Sequence, residues 1–180
     1  MALIHHRADD VGMADYALES FGASVISSTE TYKTKYCKVF GISLWCRNHG
    51  PETVLQPGVV PGQCWAFRGS QGYLLISLSY PVHITHVTLE HMPVVLSPTA
   101  HIRSAPRDFA VYGMMNEKEE GDLLGIFTYD QNGESLQTFK IPDPLSKVYS
   151  LCDLRILSNW GHPKHTCVYR FRVHSQPSSR

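Results

Sequence analysis

No stretch of this chain approaches the 18 or more consecutive apolar residues that a membrane-spanning helix needs, and MALIHHRADD at the N-terminus has no apolar core of the signal-peptide kind. The piece is therefore expected to be soluble, with its opening residues reading partly as a leader and any membrane anchor lying outside it. Charge of one sign is also missing. Lys+Arg and Asp+Glu both number 16 and the pI is near 7.1, so there is no electrostatic case for nucleic acid or an acidic membrane surface. The one dense charge run, Glu117, Lys118, Glu119 and Glu120, reads as a solvated loop. There is no Cys-x-x-Cys and no Asn-x-Ser/Thr acceptor, so neither a redox motif nor a glycan site marks secretion. A G-x-S-x-G nucleophile elbow and a phosphate-binding P-loop are absent too, and no long heptad region is present.

Cysteine occurs five times, at 37, 46, 64, 152 and 167. An odd count in a mid-sized chain fits either a reduced protein with incidental thiols or an oxidised one with one or two bridges and a remainder. Composition does not choose between them. At 180 residues the chain is most simply one domain, able to bury roughly two thirds of its unfolded surface.

What is present is alternation. Asp9 and Asp10 are placed to cap a short helix through VGMADYALES that stops at Gly22. From Ala23 the period changes to two. ASVIS is a first candidate strand, and TYKTKYCKVFGISLWCRNHGP suggests a hairpin from Tyr32 to Phe40 and Ile42 to Trp45, turning at Gly41. This hairpin is short and rich in lysine, more a flap than a central pair. QPGVVPGQCW, with two Pro-Gly steps, reads as an irregular loop. Further strands are expected at 73–79, 82–92, 108–114, 123–130, 134–141 and 149–160. In CVYRFRV the side chains of Cys167, Tyr169, Phe171 and Val173 share one face and Arg170 and Arg172 the other. Asn132-Gly133, between FTYD and SLQTF, is the strongest hairpin signal. Many strands, short loops and no interleaved long helices predict an all-β fold, a compact antiparallel β-sandwich of jelly-roll type with a short N-terminal helix and a protruding β-hairpin.

Near the C-terminus, SNWGHPKHTCVYRFRVH brings His162, His165 and Cys167 together. These are zinc-compatible ligands, with Asp153 imaginable as a fourth, but a closed structural site needs two pairs and no second pair matches. The plainer reading is a Gly-Pro turn whose imidazoles meet water or backbone. A bridge between Cys64 and Cys167 is one pairing among several on spacing alone, and the carbonyls of the Pro-Gly loop offer oxygen ligands for a cation.

NWGHPKHTCVYRFRVH, taken with LQPGVVPGQCWAFRGSQGYLLISL, VTLEHMP, SAPRDFAVYG and LLGIFTYDQNGESLQTF, closely resembles the SUN domains of inner nuclear membrane proteins. The motifs occur in order from about Asp15 to His174. The resemblance implies a leader and helical segment over 1–22, the domain proper over 23–175 and a tail over 176–180. It implies a binding module with no reaction. Such a module faces the perinuclear space from the inner nuclear membrane, forms a homotrimer in the full-length protein and captures the C-terminal peptide of KASH proteins in the outer membrane. The pair transmits force between nucleoskeleton and cytoskeleton. A glycan- or lipid-headgroup-binding sandwich is the alternative class.

Residue by residue, the segment from about 31 to 48 resembles the family's lid, a hairpin that clamps an extended peptide by strand addition. Its candidate contacts are Tyr32, Tyr36, Val39, Phe40, Ile42, Leu44 and Trp45. The pocket for the peptide's terminal carboxylate and prolines falls on His91, Ser104, His165 and Tyr169. Position 165 departs from the better-known members, which have Tyr there, and the change implies altered affinity or pH sensitivity. The loop 53–63 resembles a potassium- or sodium-binding loop with backbone carbonyl ligands at Thr53, Gln56, Gly58, Gln63 and Tyr169. Gly58 stands where an Asp is common. The resemblance also implies the Cys64–Cys167 bridge, since the perinuclear lumen is oxidising. Some members carry a cysteine before the lid that bonds the peptide; SSTE, Ser27 to Glu30, has none, so noncovalent capture is implied. Cys37 and Cys46 are left free or paired across the hairpin.

Overall fold

A computed structural model describes residues 11–33, 36–39, 42–45, 48–144 and 146–177, with only the backbone described for 36–39 and 42–45. Its strands, in chain order, are β1 (Ser24–Ser28), β2 (Tyr36–Val39), β3 (Ile42–Trp45), β4 (Trp65–Arg68), β5 (Gly72–Val82) and β6 (His86–Glu90). They continue as β7 (Asp108–Met114), β8 (Asp122–Thr128), β9 (Leu136–Lys140), β10 (Tyr149–Ile156), β11 (His165–Val168) and β12 (Arg170–His174). A five-stranded antiparallel sheet runs β1-β5-β10-β7-β8. Three further sheets run β12-β6-β9, β11-β4 and β2-β3.

Alternation explains the packing. Leu74, Ile76 and Leu78 of β5, Phe109 and Val111 of β7, and Cys152, Leu154 and Ile156 of β10 all enter one core. Val87 and Leu89 of β6 and Phe171 and Val173 of β12 meet them from the other layer, with Trp65 and Phe67 of β4. Two sheets with their apolar faces together make the expected sandwich, and each fully buried large side chain is worth about 1.5–3 kcal/mol.

Several readings need correction. The expected helix through VGMADYALES is not formed: only a 3-10 turn, Glu19–Phe21, is present, closed by Gly22 at a left-handed φ of 110°. Before it the chain is used differently. Tyr16 donates its N–H to the Val173 carbonyl and accepts from the Ser79 N–H, which ties β12 to β5 across the two layers. Asp15 Oδ1 accepts the N–H groups of Ala17 and Val173, and these fixed bonds outweigh a helix too short to hold itself. Asp9 and Asp10 lie outside the described residues.

Asn132-Gly133 does lie in a turn, with the Gly133 N–H on the Asp130 carbonyl. The flanking strands are not a hairpin. β8 pairs with β7 while β9 pairs with β6, so the turn carries the chain from one layer to the other. The Gln137 amide supplies the local bonds a ladder would have made, accepting the Asp130 N–H and donating to the carbonyls of Asp130 and Glu134. Phe127 and Phe139 pack at 5.2 Å inside the crossover, both against Phe109.

The run CVYRFRV is two strands rather than one. β11 pairs with β4 and β12 with β6, and Tyr169 is the joint. The expected common face breaks there: Phe171 and Val173 enter the main core, while Cys167 and Tyr169 enter a small separate cluster with Cys64, Val59 and Met92. Finally, Trp65 opens β4 instead of closing the Pro-Gly loop, so a strand at 65–68 went unread.

Candidate functional site

Tyr169 organises the site because it sits where the chain changes sheets. Its side chain is buried, and its ring meets that of His91 edge-on, with centroids 4.7 Å apart and planes at 77°. Its hydroxyl accepts the Gly62 N–H at 3.0 Å and so holds the Pro-Gly loop against the start of β12. Gly58 and Gly62 have φ of 83° and 85°, in the left-handed region that glycine adopts without strain, which explains why glycine suits position 58 here. Cys64 and Cys167 form a disulfide with Cα atoms 5.7 Å apart, and it pins the far end of that loop to β11. Among the described residues Cys152 is a free thiol, buried in the core. The side chain of Cys37 and all of Cys46 lie outside the described residues.

His91 follows β6 and is only 2% exposed. Its Nδ1 is 3.2 Å from the Met92 carbonyl, which can only accept, so Nδ1 carries the proton. The Nε2 of a neutral ring is then an acceptor, and this buried atom has no partner. Burial pushes the His91 pKa down to about 4. On this neutral ring Nε2 can only accept an N–H or O–H, and donation from it to a carboxylate would need a second proton that burial opposes.

This burial has a stability consequence. The folded pKa lies below the unfolded value of 6.5, so the stability linked to neutral His91 is present above pH 6.5 and is lost as pH falls through about 4. The full difference corresponds to about 3 kcal/mol. Urea unfolding of a His91→Gln variant should show a flatter decline between these pH values, and an unchanged slope would count against the burial argument.

His165 opens β11, opposite Arg68 of β4. It is half-buried. Its ring stacks on Tyr32, centroids 5.6 Å apart and planes at 19°, and meets the His162 ring at 4.0 Å. Burial, then the neighbouring His162 and Lys164, hold its pKa down. His162 Nδ1 accepts the N–H groups of Lys164 and His165, the backbone contact expected of the Gly-Pro turn. Asn159 fixes the turn, donating to the carbonyls of His162 and His165 and to Thr166 Oγ1 while accepting the Gly161 N–H. The sequence alone gave no role to Asn159 beyond a shaped turn. The order Asn-Trp-Gly was the only signal.

Ser104 is half-buried, and its carbonyl accepts the Cys167 N–H at 2.8 Å, which sets it beside the disulfide. Of the four expected pocket residues, His91 and Tyr169 touch, Ser104 joins through Cys167, and His165 stands two residues before Cys167 on the same face of β11. The zinc reading fails on geometry. Cys167 is consumed in the disulfide, and Asp153 lies on β10, bonded at 2.8 Å to Arg155.

In the lid, β2 and β3 pair Tyr36 with Trp45 and Val39 with Ile42. Phe40 and the side chains of Tyr36, Val39, Ile42, Leu44 and Trp45 lie outside the described residues. Tyr32 is a correction: it is not in the hairpin but runs beside β4, donating its N–H to the Ala66 carbonyl and lying under Arg68. The backbone bond to β4 anchors it to the body of the domain.

The proposed cation loop starts with a 3-10 turn, Pro51–Leu55, in which the Thr53 carbonyl accepts the Gln56 N–H at 3.3 Å. Gln63 donates its N–H to the Val60 carbonyl. The ligand set named above, on Thr53, Gln56, Gly58, Gln63 and Tyr169, consists of neutral main-chain oxygens. Such donors suit a hard cation of low charge, so the residues present are compatible with potassium or sodium.

The fold and site define an antiparallel β domain of the β-sandwich class, with little helix. The fold is shared with the family 32 carbohydrate-binding module of Streptococcus pneumoniae EndoD, at TM-score 0.67 and 16% identity over 91% of this chain and 100% of that one. The family 32 module of Clostridium perfringens NanJ, solved in complex with galactose, superposes at TM-score 0.60 with 9% identity, over 91% of this chain and 98% of that one. Likeness at these identities shows the fold alone. Residues 44–177 match the Sad1 / UNC-like C-terminal family, and the chain belongs to that family, the SUN domains. Human SUN domain-containing protein 1 is 54% identical over 98% of this chain and 23% of its own length. Mouse SUN domain-containing protein 2 is 52% identical over 98% of this chain and 25% of its own. Drosophila Klaroid protein is 46% identical over 96% and 18%. The chain thus spans about a quarter or less of these relatives.

Proposed function

We propose that this domain captures the C-terminal peptide of a KASH protein without chemical reaction, and that it thereby bridges the inner and outer nuclear membranes. The observation that carries this reading is that a SUN-family chain holds both the β2-β3 hairpin and a buried His91–Tyr169 ring contact beside the disulfide. The hairpin offers strand addition and the pocket receives the peptide end. In this reading the domain proper spans 23–175, faces the perinuclear space and acts as a homotrimer in the longer protein. A potassium or sodium ion on the 53–63 loop stiffens the pocket wall.

His165 makes the capture depend on pH. Its neighbours are His162, Lys164, Tyr32 and Arg68, and its pKa is held low in the free domain. A peptide carboxylate nearby raises the pKa in the complex, so affinity rises as pH falls through the bound-state value. Calorimetry with a KASH C-terminal peptide should show binding that strengthens from pH 8 to pH 6, and His165→Tyr should remove that slope. No heat of binding at any pH, with a glycan array positive instead, would replace the peptide reading with the carbohydrate one. His165→Ala should weaken peptide binding by about tenfold, in the range of a moderate interface contact.

A further inference from the structure

The sheet β12-β6-β9 carries an electrostatic feature that peptide capture does not use. Its register sets His174 opposite His86, and His86 opposite Lys140, on three neighbouring strands. Like charges placed directly opposite destabilise a sheet. The row borders a cavity of about 740 Å³ whose lining includes His83, Thr85, His86, Lys140, Tyr16 and Gln176, with no carboxylate among its residues.

The hydrogen bonds decide which of these groups is available. His174 Nδ1 donates to the Ala14 carbonyl at 2.8 Å, so its Nε2 accepts from Thr88 Oγ1 at 2.8 Å, and the ring is neutral and fully engaged. Burial holds the His174 pKa down, with the Ala14 carbonyl and Asp15 opposing and Arg172 and His86 adding to the shift. His86 differs. Thr85 Oγ1 accepts the Gln176 N–H at 2.7 Å and lies 2.9 Å from His86 Nδ1. With the Thr85 hydroxyl donating to Nδ1, the neutral ring keeps its proton on Nε2. His83 is oriented by its own Nδ1–H, donated to the Lys147 carbonyl at 3.1 Å. Burial and the Lys140 charge hold the His86 pKa down.

We propose that this cavity binds a phosphate-type oxyanion, with Lys140 supplying charge and the Nε2–H of His86 donating to an anion oxygen. A bound dianion relieves the His86–Lys140 opposition, and the cavity has room for the organic part of a phosphomonoester. The shared chemistry is the phosphomonoester group, carried by a small soluble molecule or by a lipid surface. The site is separate from the peptide pocket, since His86 opens β6 and His91 follows its other end.

Imidazole NMR on the whole domain tests this with inorganic phosphate as the probe. Saturating phosphate should raise the His86 pKa by about one unit, equivalent to a tenfold preference for the protonated ring. Chloride at matched ionic strength should not. Lys140 is exposed, so Lys140→Ala should fold normally and lose the response, while Lys118→Ala, outside the cavity lining, should keep it. Lys140→Glu should raise the His86 pKa without phosphate and abolish the phosphate effect. A shift that chloride reproduces, or one that survives Lys140→Ala, overturns the proposal, as does no shift at all. Glycerol 3-phosphate and phosphatidic acid vesicles then separate the sources: response to both marks a headgroup-sized site open to a membrane, and response to the soluble ester alone marks a small-molecule site. Peptide calorimetry on Lys140→Ala should be unchanged, so this proposal and the peptide reading fail independently.

Discussion

Replacing Cys64 or Cys167 with serine should lower the stability of the oxidised domain by about 3–5 kcal/mol. The bridge spans a sequence separation of 103 residues, and its removal frees the unfolded chain of a long closed loop. It also removes the covalent link within the small cluster in which Tyr169 is packed. For a chain of this size the change corresponds to a fall in Tm of about 10 °C. Calorimetric melting with and without reductant checks it: the wild type under reducing conditions should melt with the serine variant. A fall of only a degree or two would mean that the loop and β11 are held by other contacts. The native-state part of the loss should be concentrated in the 56–63 loop, because the disulfide and the Tyr169 hydroxyl both hold it.

Tyr169→Ala should be the most damaging single change for peptide capture. The side chain carries three duties at once: it packs on His91, holds Gly62 and lies at the switch between β11 and β12. Truncation leaves a cavity costing about 3–5 kcal/mol. The proposed peptide affinity should drop by about a hundredfold or more, as for a central buried aromatic. Tyr169→Phe separates the duties. It keeps the ring and leaves the Gly62 N–H without its acceptor, at a cost of about 1–2 kcal/mol. Melting should then fall modestly while peptide binding is largely kept. If Phe and Ala variants bound equally poorly, the hydroxyl rather than the ring would be the peptide contact.

Much of the fold was legible from alternation. The strand read at 108–114 is β7 to the residue, and β5, β8, β9 and β10 lie within one to four residues of their expected ends. Side-chain alternation is a property of the chain itself, so it survives without knowledge of partners. Asn132-Gly133 shows where this reasoning stops. The dipeptide marks a reversal correctly, but it cannot say whether the edges it brings together are free. Here β7 and β6 had taken them. Likewise CVYRFRV alternates without interruption, and nothing local announces that Val168 pairs with β4 and Arg170 with β6.

The candidate site divides in the same way. His91, Ser104, His165 and Tyr169 were named through resemblance to the SUN family. Residue types and spacing alone offered a turn, a possible zinc cluster and several cysteine pairings. The tautomer of His91, the stacking of His165 on Tyr32 and the row His174, His86 and Lys140 had no sequence signal. Each depends on which backbone group or neighbouring strand a ring meets.

By itself, then, the sequence determined that the chain is an all-β domain, where most of its strands lie and which of their residues alternate toward a core. Through family resemblance it also named the candidate residues His91, Ser104, His165 and Tyr169. Only the tertiary structure decided which strands pair, that Tyr169 joins two sheets, and that the buried His174 has partners on both ring nitrogens while His91 keeps Nε2 without one. Alternation is set by each residue's own backbone, whereas pairing and protonation are set by groups that arrive from distant parts of the chain.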